Sequence, residues 1–240
     1  MRKTNKLSFL LILIILFTIN ITPTDKIEQF AKTYNLKKDK LLKAKKFIRN
    51  NKDKFLWKLV NKDNELNNNY IPKKLKKIPL KYTKNRNEIY VKELIYKNLV
   101  KMIKNAKKKG IKLRVLSGYR SYEYQKKLYN NMLNKYGEKF VKKFIAKAGH
   151  SEHQLGTVLD FNSLNINKKS KIAFKWLSDN AWEYGFSLSY SKNNILTDFE
   201  YEPWHYRYVG PEAAKIIKDY FKGDQKLFLK FANNYITYDN

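Results

Sequence analysis

The sequence predicts an α+β fold in which a small, mainly antiparallel sheet is packed by helices. Three observations lead there. Short runs with the apolar, β-branched look of strands occur at Ile111 to Leu116, Val158 to Phe161, Gly185 to Tyr190 and Trp204 to Val209. Between them lie longer stretches with apolar residues at i, i+3 and i+4, the period of an amphipathic helix. Histidines and carboxylates gather in and beside two of the strand runs, so the sheet is expected to carry the chemistry.

Met1 to Pro23 begins with Arg2, Lys3 and Lys6 and continues as an apolar run from Leu7 to Phe17. A basic start and an apolar run of that length fit a secretory signal. The run falls short of the ~20 residues that a membrane span wants, but Thr18 to Ile21 could extend it into an uncleaved anchor. Both alternatives place the rest of the chain outside the cytoplasm. No cysteine is present, so lipid attachment through cysteine and disulfides are excluded, and the core alone must hold the fold.

Residues 24–54 are lysine-rich, with Ile27, Phe30, Tyr34, Leu41, Leu42, Phe47 and Ile48 at helical spacings, and read as a helical stalk or cap of two short helices. The main domain is expected over 55–222. Within it, Asn67, Asn68, Asn69 and Pro72 mark a loop. Tyr90 to Lys109 carries a stripe of Val91, Leu94, Ile95, Leu99, Met102, Ile103 and Ala106 that stops at Gly110, an amphipathic helix of about five turns. Tyr122 to Tyr136 reads as a helix, Gly137 to Lys147 as a loop with a short helix, and Lys171 to Trp182 as a helix over the sheet. Pro211 to Lys222 closes the domain with Ala213, Ile216, Ile217 and Tyr220 inward. Residues 223–240, with Phe228, Phe231, Tyr235 and Tyr238, form a tail of helix or loose packing. About 215 residues after a cleaved signal would bury roughly 70% of their unfolded surface, enough for a core without cross-links.

The net charge of +30 raises a nucleic-acid reading. Its source is lysine spread through every segment, with no recognised nucleic-acid motif, which argues against that reading. A cationic exported protein would be drawn instead to anionic wall polymers or lipid headgroups. The chain is expected to act as a monomer.

The chemical signal is sharper. Two of the three histidines lie in Gly149 to Phe161, and the third, His205, follows Glu202-Pro203-Trp204. A catalytic zinc takes about three ligands from imidazoles and carboxylates and leaves a position to water. His153, Asp160 and His205 supply such a set for one Zn2+. Gly156 lets the chain turn between the first two, and Asp160 sits in an apolar strand where a charge is costly unless paired or bound to a cation. Period 2 puts His205, Arg207 and Val209 on one face of their strand. Glu202, three residues before His205 and held extended by Pro203, is close enough to share the site. A carboxylate beside zinc can take a proton from water and pass it to a leaving amine, which is peptide hydrolysis. Arg120, at the end of the strand run that enters Ser117-Gly118, offers permanently charged planar donors for a substrate carboxylate or a forming oxyanion.

Ser151-x-His153-x-x-Gly156-x-x-x-Asp160, then Glu202-x-Trp204-His205, with Ser117-Gly118-Tyr119-Arg120-Ser121 upstream, resembles the zinc D-alanyl-D-alanine carboxypeptidases of the VanY type. VanX-type D,D-dipeptidases and L,D-carboxypeptidases share the pattern. The resemblance runs from roughly residue 55 to 220, its entry segment being Leu59 to Lys62 with Leu66 to Pro72, and Val158 stands where a small Ala is expected. It implies that Gln125 and Ser151 bind substrate, Ser151 near its C-terminal end, and that the substrate is a D-alanine-terminated stem peptide of peptidoglycan. Removal of that D-alanine is the expected reaction, with Glu202 and Arg120 as catalytic residues. L,D-carboxypeptidase action on tetrapeptides is the alternative.

Other classes fit less well. Gly149-His150-Ser151-Glu152-His153 starts like a nucleophile elbow but lacks its last glycine, and His-Glu-x-x-His is absent. His150 is expected in the wall of the site and Glu152 facing solvent. A non-catalytic wall-binding module would be expected to have lost a ligand or Glu202, and neither is lost. A free-dipeptide enzyme needs an acidic partner for the substrate ammonium, and none is identifiable.

Overall fold

The computed structural model describes residues 23–84, 88–162, 164, 166–192, 196 and 199–236. Of the segment read as signal or anchor, residues 1–22 lie outside them and Pro23 opens the first helix. In chain order the described elements are α1 (Pro23–Tyr34), α2 (Lys38–Asn50), β1 (Leu75–Lys77), β2 (Tyr90–Lys92), α3 (Glu93–Lys108), β3 (Val115–Ser117) and α4 (Tyr122–Tyr136). They continue with α5 (Glu138–Phe144), β4 (Val158–Phe161), α6 (Lys168–Asn180), β5 (Phe186–Leu188), β6 (His205–Tyr208), α7 (Pro211–Tyr220) and α8 (Gln225–Asn233). Short 3-10 turns fill several of the gaps.

Every residue of β4 and of β6 is buried. Strands without a solvent face belong in the middle of a sheet, and the order is β3-β4-β6-β5, antiparallel throughout. Pairing sets Asp160 opposite His205 and Val158 opposite Arg207. Because side chains alternate, these four share one face. Leu159, Phe161, Tyr206 and Tyr208 share the other, and they join the main core with Ile95, Leu99, Met102 and Ile103 of α3. The sheet thus has an oily face that holds it to the helices and a polar face that is buried all the same.

Three sequence expectations shift. The strand expected over Ile111 to Leu116 is confined to β3, because Asn162, at φ 59°, turns out of the ladder: its N still donates to Arg114 O at 2.7 Å, and its side chain supplies the remaining bonds. Its Oδ1 accepts from Arg114 N at 2.8 Å and its Nδ2 donates to Lys112 O at 3.1 Å. Tyr90 to Lys92 leaves the expected helix to pair with β1, and Leu94 is exposed while the rest of the stripe is buried. The N-terminal helices are not set apart from the core. Ile27, Leu41 and Ile48 are buried in it, Phe30 packs on Phe231 at 5.0 Å, and Trp57 packs on Phe228 at 5.7 Å. Residues 225–233 of the expected tail are α8, whose aromatics supply the surface that α1 and α2 cover.

Candidate metal centre

His153, Asp160 and His205 each offer a ligand atom, and these atoms lie within 4.8 Å of one another with all three residues buried. Local structure explains how they meet. Asp160 and His205 are register partners on the two central strands. His153 lies on a 3-10 turn, Glu152–Leu155, whose Ser151 cap accepts from His153 N and whose end is Gly156 at φ 71°. A Cβ at Gly156 would come 3.1 Å from Pro72 Cγ, so only glycine turns the chain there without strain.

Protons are assigned by partners. His153 Nδ1 lies 2.7 Å from the Gly118 carbonyl, which makes it the N–H and leaves Nε2 with a lone pair, 3.3 Å from Asp160 Oδ2. Burial, then the Arg120 charge, pushes the His153 imidazole down to about 4, so it is a neutral donor at pH 7. His205 has carboxylates on both sides, with Nδ1 3.3 Å from Asp160 Oδ1 and 3.4 Å from Glu202 Oε2, and Nε2 3.3 Å from Glu152 Oε2. Burial alone would lower its pKa, but those carboxylates, Asp160 foremost, hold it well above the usual range. Burial would raise Asp160, yet His153, His205 and Arg120 keep its carboxyl well below the ordinary carboxylate range.

The site therefore calls for positive charge between His153, Asp160 and His205. A proton on His205 meets that need only in part, because Asp160 Oδ1 is buried without a hydrogen-bond partner. Two imidazoles and one carboxylate, drawn from separate elements, fit a single zinc ion.

The residues expected around this set are brought to it, with two differences. Glu202 is buried beside His205. Ser151 and Gln125 line the same groove, about 610 Å3 in volume, as His153, Asp160 and His205. Gln125 donates to Ala146 O at 2.8 Å, and its Oε1 is without a partner. Arg120, expected to face substrate only, also donates from Nη2 to Asp160 Oδ2 at 2.7 Å and from Nε to Ser117 Oγ at 3.0 Å. His150 turns to Asn61 O, 2.9 Å away, and to Glu65.

Glu152 corrects the sequence reading outright. It is buried, not solvent-facing, and accepts from Arg207 Nη1 at 2.9 Å and from Lys226 Nζ at 2.8 Å while reaching His205. Burial would raise its pKa, but Lys226, His205 and Arg207 together hold it well below the usual range. The placement of Arg207 on the His205 face was the one available signal. Lys226 sits in the stretch expected as a tail, so nothing local pointed to it.

Residues 88–211 match the VanY family, described as D-alanyl-D-alanine carboxypeptidase. This chain belongs to that family. YodJ of Bacillus subtilis is 39% identical over 170 residues, which cover 67% of this chain and 62% of YodJ. The chain thus spans about three fifths of that relative. Among solved structures, the LdcB LD-carboxypeptidase is 38% identical with a TM-score of 0.65, covering 72% of this chain and 84% of its own. A VanY D,D-pentapeptidase variant in complex with Zn(II) is 28% identical with a TM-score of 0.63, covering 73% and 99%. VanYB in complex with D-alanine-D-alanine is similar at 29% identity, with a TM-score of 0.63 and coverage of 73% and 98%. The α+β fold with a small antiparallel sheet is that of these VanY-type and LdcB structures.

Proposed function

We propose that this member of the VanY family is an exported, monomeric zinc carboxypeptidase that removes the C-terminal D-alanine from peptidoglycan stem peptides. The observation that carries the reading is the convergence of His153, Asp160 and His205 within 4.8 Å, with Glu202 at 3.4 Å from His205. The Zn(II) and D-alanine-D-alanine complexes of similar structures support it.

His153, Asp160 and His205 would hold the ion. Bound zinc lowers the pKa of water to ~7 and polarises a scissile carbonyl. Glu202 takes the proton of the attacking water and then delivers it to the leaving amine, so that one water is consumed and one D-alanine released. Arg120 keeps Nη1 for the oxyanion while Nη2 steadies Asp160. Ser151 and Gln125 would bind the peptide backbone. Export by residues 1–23 and attraction to anionic wall polymers or the membrane surface complete the proposal, supported by the apolar run after Arg2, Lys3 and Lys6 and by the net charge of +30.

Mass spectrometry of the soluble part, incubated with a stem pentapeptide and separately with a tetrapeptide, with and without a chelator, tests the reading. Chelator-sensitive loss of one alanine from the pentapeptide is expected. Loss from the tetrapeptide instead would establish the L,D reaction, the alternative supported by the 38% identity to the LdcB LD-carboxypeptidase. Cleavage of neither, with zinc present, would sink both and favour a binding module. Glu202→Ala should keep zinc and lose turnover, whereas His205→Ala should lose zinc and turnover together; an active, zinc-replete His205 variant would refute the ligand set.

A further inference from the structure

The groove that holds the metal-binding cluster continues along α4. Tyr124, Leu128, Met132 and Tyr136 recur every fourth residue and so form one line on the helix surface. That line is not core. Gln125 is the buried residue of α4, while Tyr124 is 57% and Tyr136 50% exposed. Phe140 and Phe144 of α5 flank it, with ring centroids 4.7 Å apart for Tyr136 and Phe140 and 5.0 Å for Phe140 and Phe144, and the chain then returns to the N-terminal end of α4, where Gln125 meets Ala146 O. All of them line the same groove as His153 and Glu202. An uncovered apolar strip running out of a polar cluster has the character of a ligand groove.

Length selects the occupant. The N-terminal end of α4 is at the cluster, since Arg120, just before the Ser121 cap, touches Asp160. The helix from Tyr124 to Tyr136 rises about 18 Å. On the stem-peptide reading, on which this inference rests, four residues lie on the acyl side of the scissile bond and reach at most about 14 Å. The strip is longer than the peptide. What the peptide hangs from is an amino sugar, and a pyranose ring presents C–H groups that pack on the negative face of an aromatic ring.

We propose that Tyr136 and Phe140, at the far end of the strip, form a subsite that stacks an N-acetylated sugar ring of the glycan carrying the stem peptide. The enzyme would then prefer stems still attached to glycan over free peptides.

The test is calorimetry on the full chain with Glu202→Gln, loaded with zinc, comparing a disaccharide-linked tetrapeptide with the free tetrapeptide. The sugar-linked ligand should bind about tenfold more tightly. Tyr136→Ala with Phe140→Ala should remove that difference, and Tyr136→Phe, which keeps the ring, should retain most of it. Equal binding of the two ligands, or a difference that survives the double substitution, overturns the subsite while leaving the stem-peptide reading intact. A ring-dependent sugar preference, with the wild-type chain cleaving neither penta- nor tetrapeptide, would uphold the subsite and overturn the reaction. Binding of neither ligand overturns both.

Discussion

Glu152 accepts from Arg207 and Lys226 and still reaches the Nε2 of His205, leaving Nδ1 to face Asp160. A carboxylate in that position fixes which nitrogen is offered to a metal and how the ring is turned, and losing such a contact typically costs 10–100-fold in metal affinity. Glu152→Gln keeps the shape and removes the charge. A zinc competition titration should show affinity falling by about tenfold or more, and unchanged affinity would make the contact incidental. In the zinc-free protein the same substitution bears on acid stability. The Glu152 carboxyl is held below its unfolded value of ~4.3, so its contribution is fully present above that pH and is lost as pH falls through the folded value. The melting temperatures of wild type and variant should therefore differ at pH 6 and converge in acid; a constant gap would contradict the charge assignment. The Glu152 network was illegible in the sequence because its partners lie 55 and 74 residues away. His153, Asp160 and His205 were legible for the opposite reason. In a chain with three histidines, their residue types and spacing mark them as a candidate metal set without any knowledge of contacts, and the fold brings the three together.

At the scale of elements, the turn between His153 and Asp160 matters most. Gly156 sits at φ 71° with Pro72 in the space a side chain would need. Gly156→Ala should cost roughly 1–3 kcal/mol from the left-handed backbone alone, and the contact with Pro72 adds to that. Relief requires the turn to shift, which moves His153 relative to Asp160. Urea unfolding should show the loss of stability, and zinc titration a parallel loss of affinity; a destabilised variant with wild-type zinc affinity would show that the turn and the ligand are uncoupled. Helices with a strong stripe, such as α3, were readable because burial follows the 3.6-residue period. Ile111 to Arg114 was not, since alternation marks a strand only where a backbone ladder continues, and beyond the Asn162 N–Arg114 O bond the Asn162 side chain supplied the partners. The tail misled in the same way. Phe228 and Phe231 look like loose apolar residues until α1 and α2 close over them.

At the scale of the molecule, 51 basic residues face 21 acidic ones, so most cations have no carboxylate to pair with. Salt acts on two opposed contributions. It weakens surface ion pairs such as Lys175–Asp179 and Lys142–Glu138, which solvent already screens so that each contributes little. It also screens the mutual repulsion of the remaining lysines, which the native state crowds together and the unfolded chain spreads out. With a Debye length near 30 Å at 0.01 M and about 8 Å at 0.15 M, the long-range repulsion is the larger part removed. The melting temperature of residues 24–240 should therefore rise between 10 and 300 mM sodium chloride, by a few degrees. Sodium sulfate, matched in ionic strength, should raise it further, because sulfate also strengthens apolar burial. A melting temperature that falls over the chloride range would mean that specific ion pairs outweigh the net charge in holding this fold, and that the lysine excess is already dispersed too widely to oppose folding.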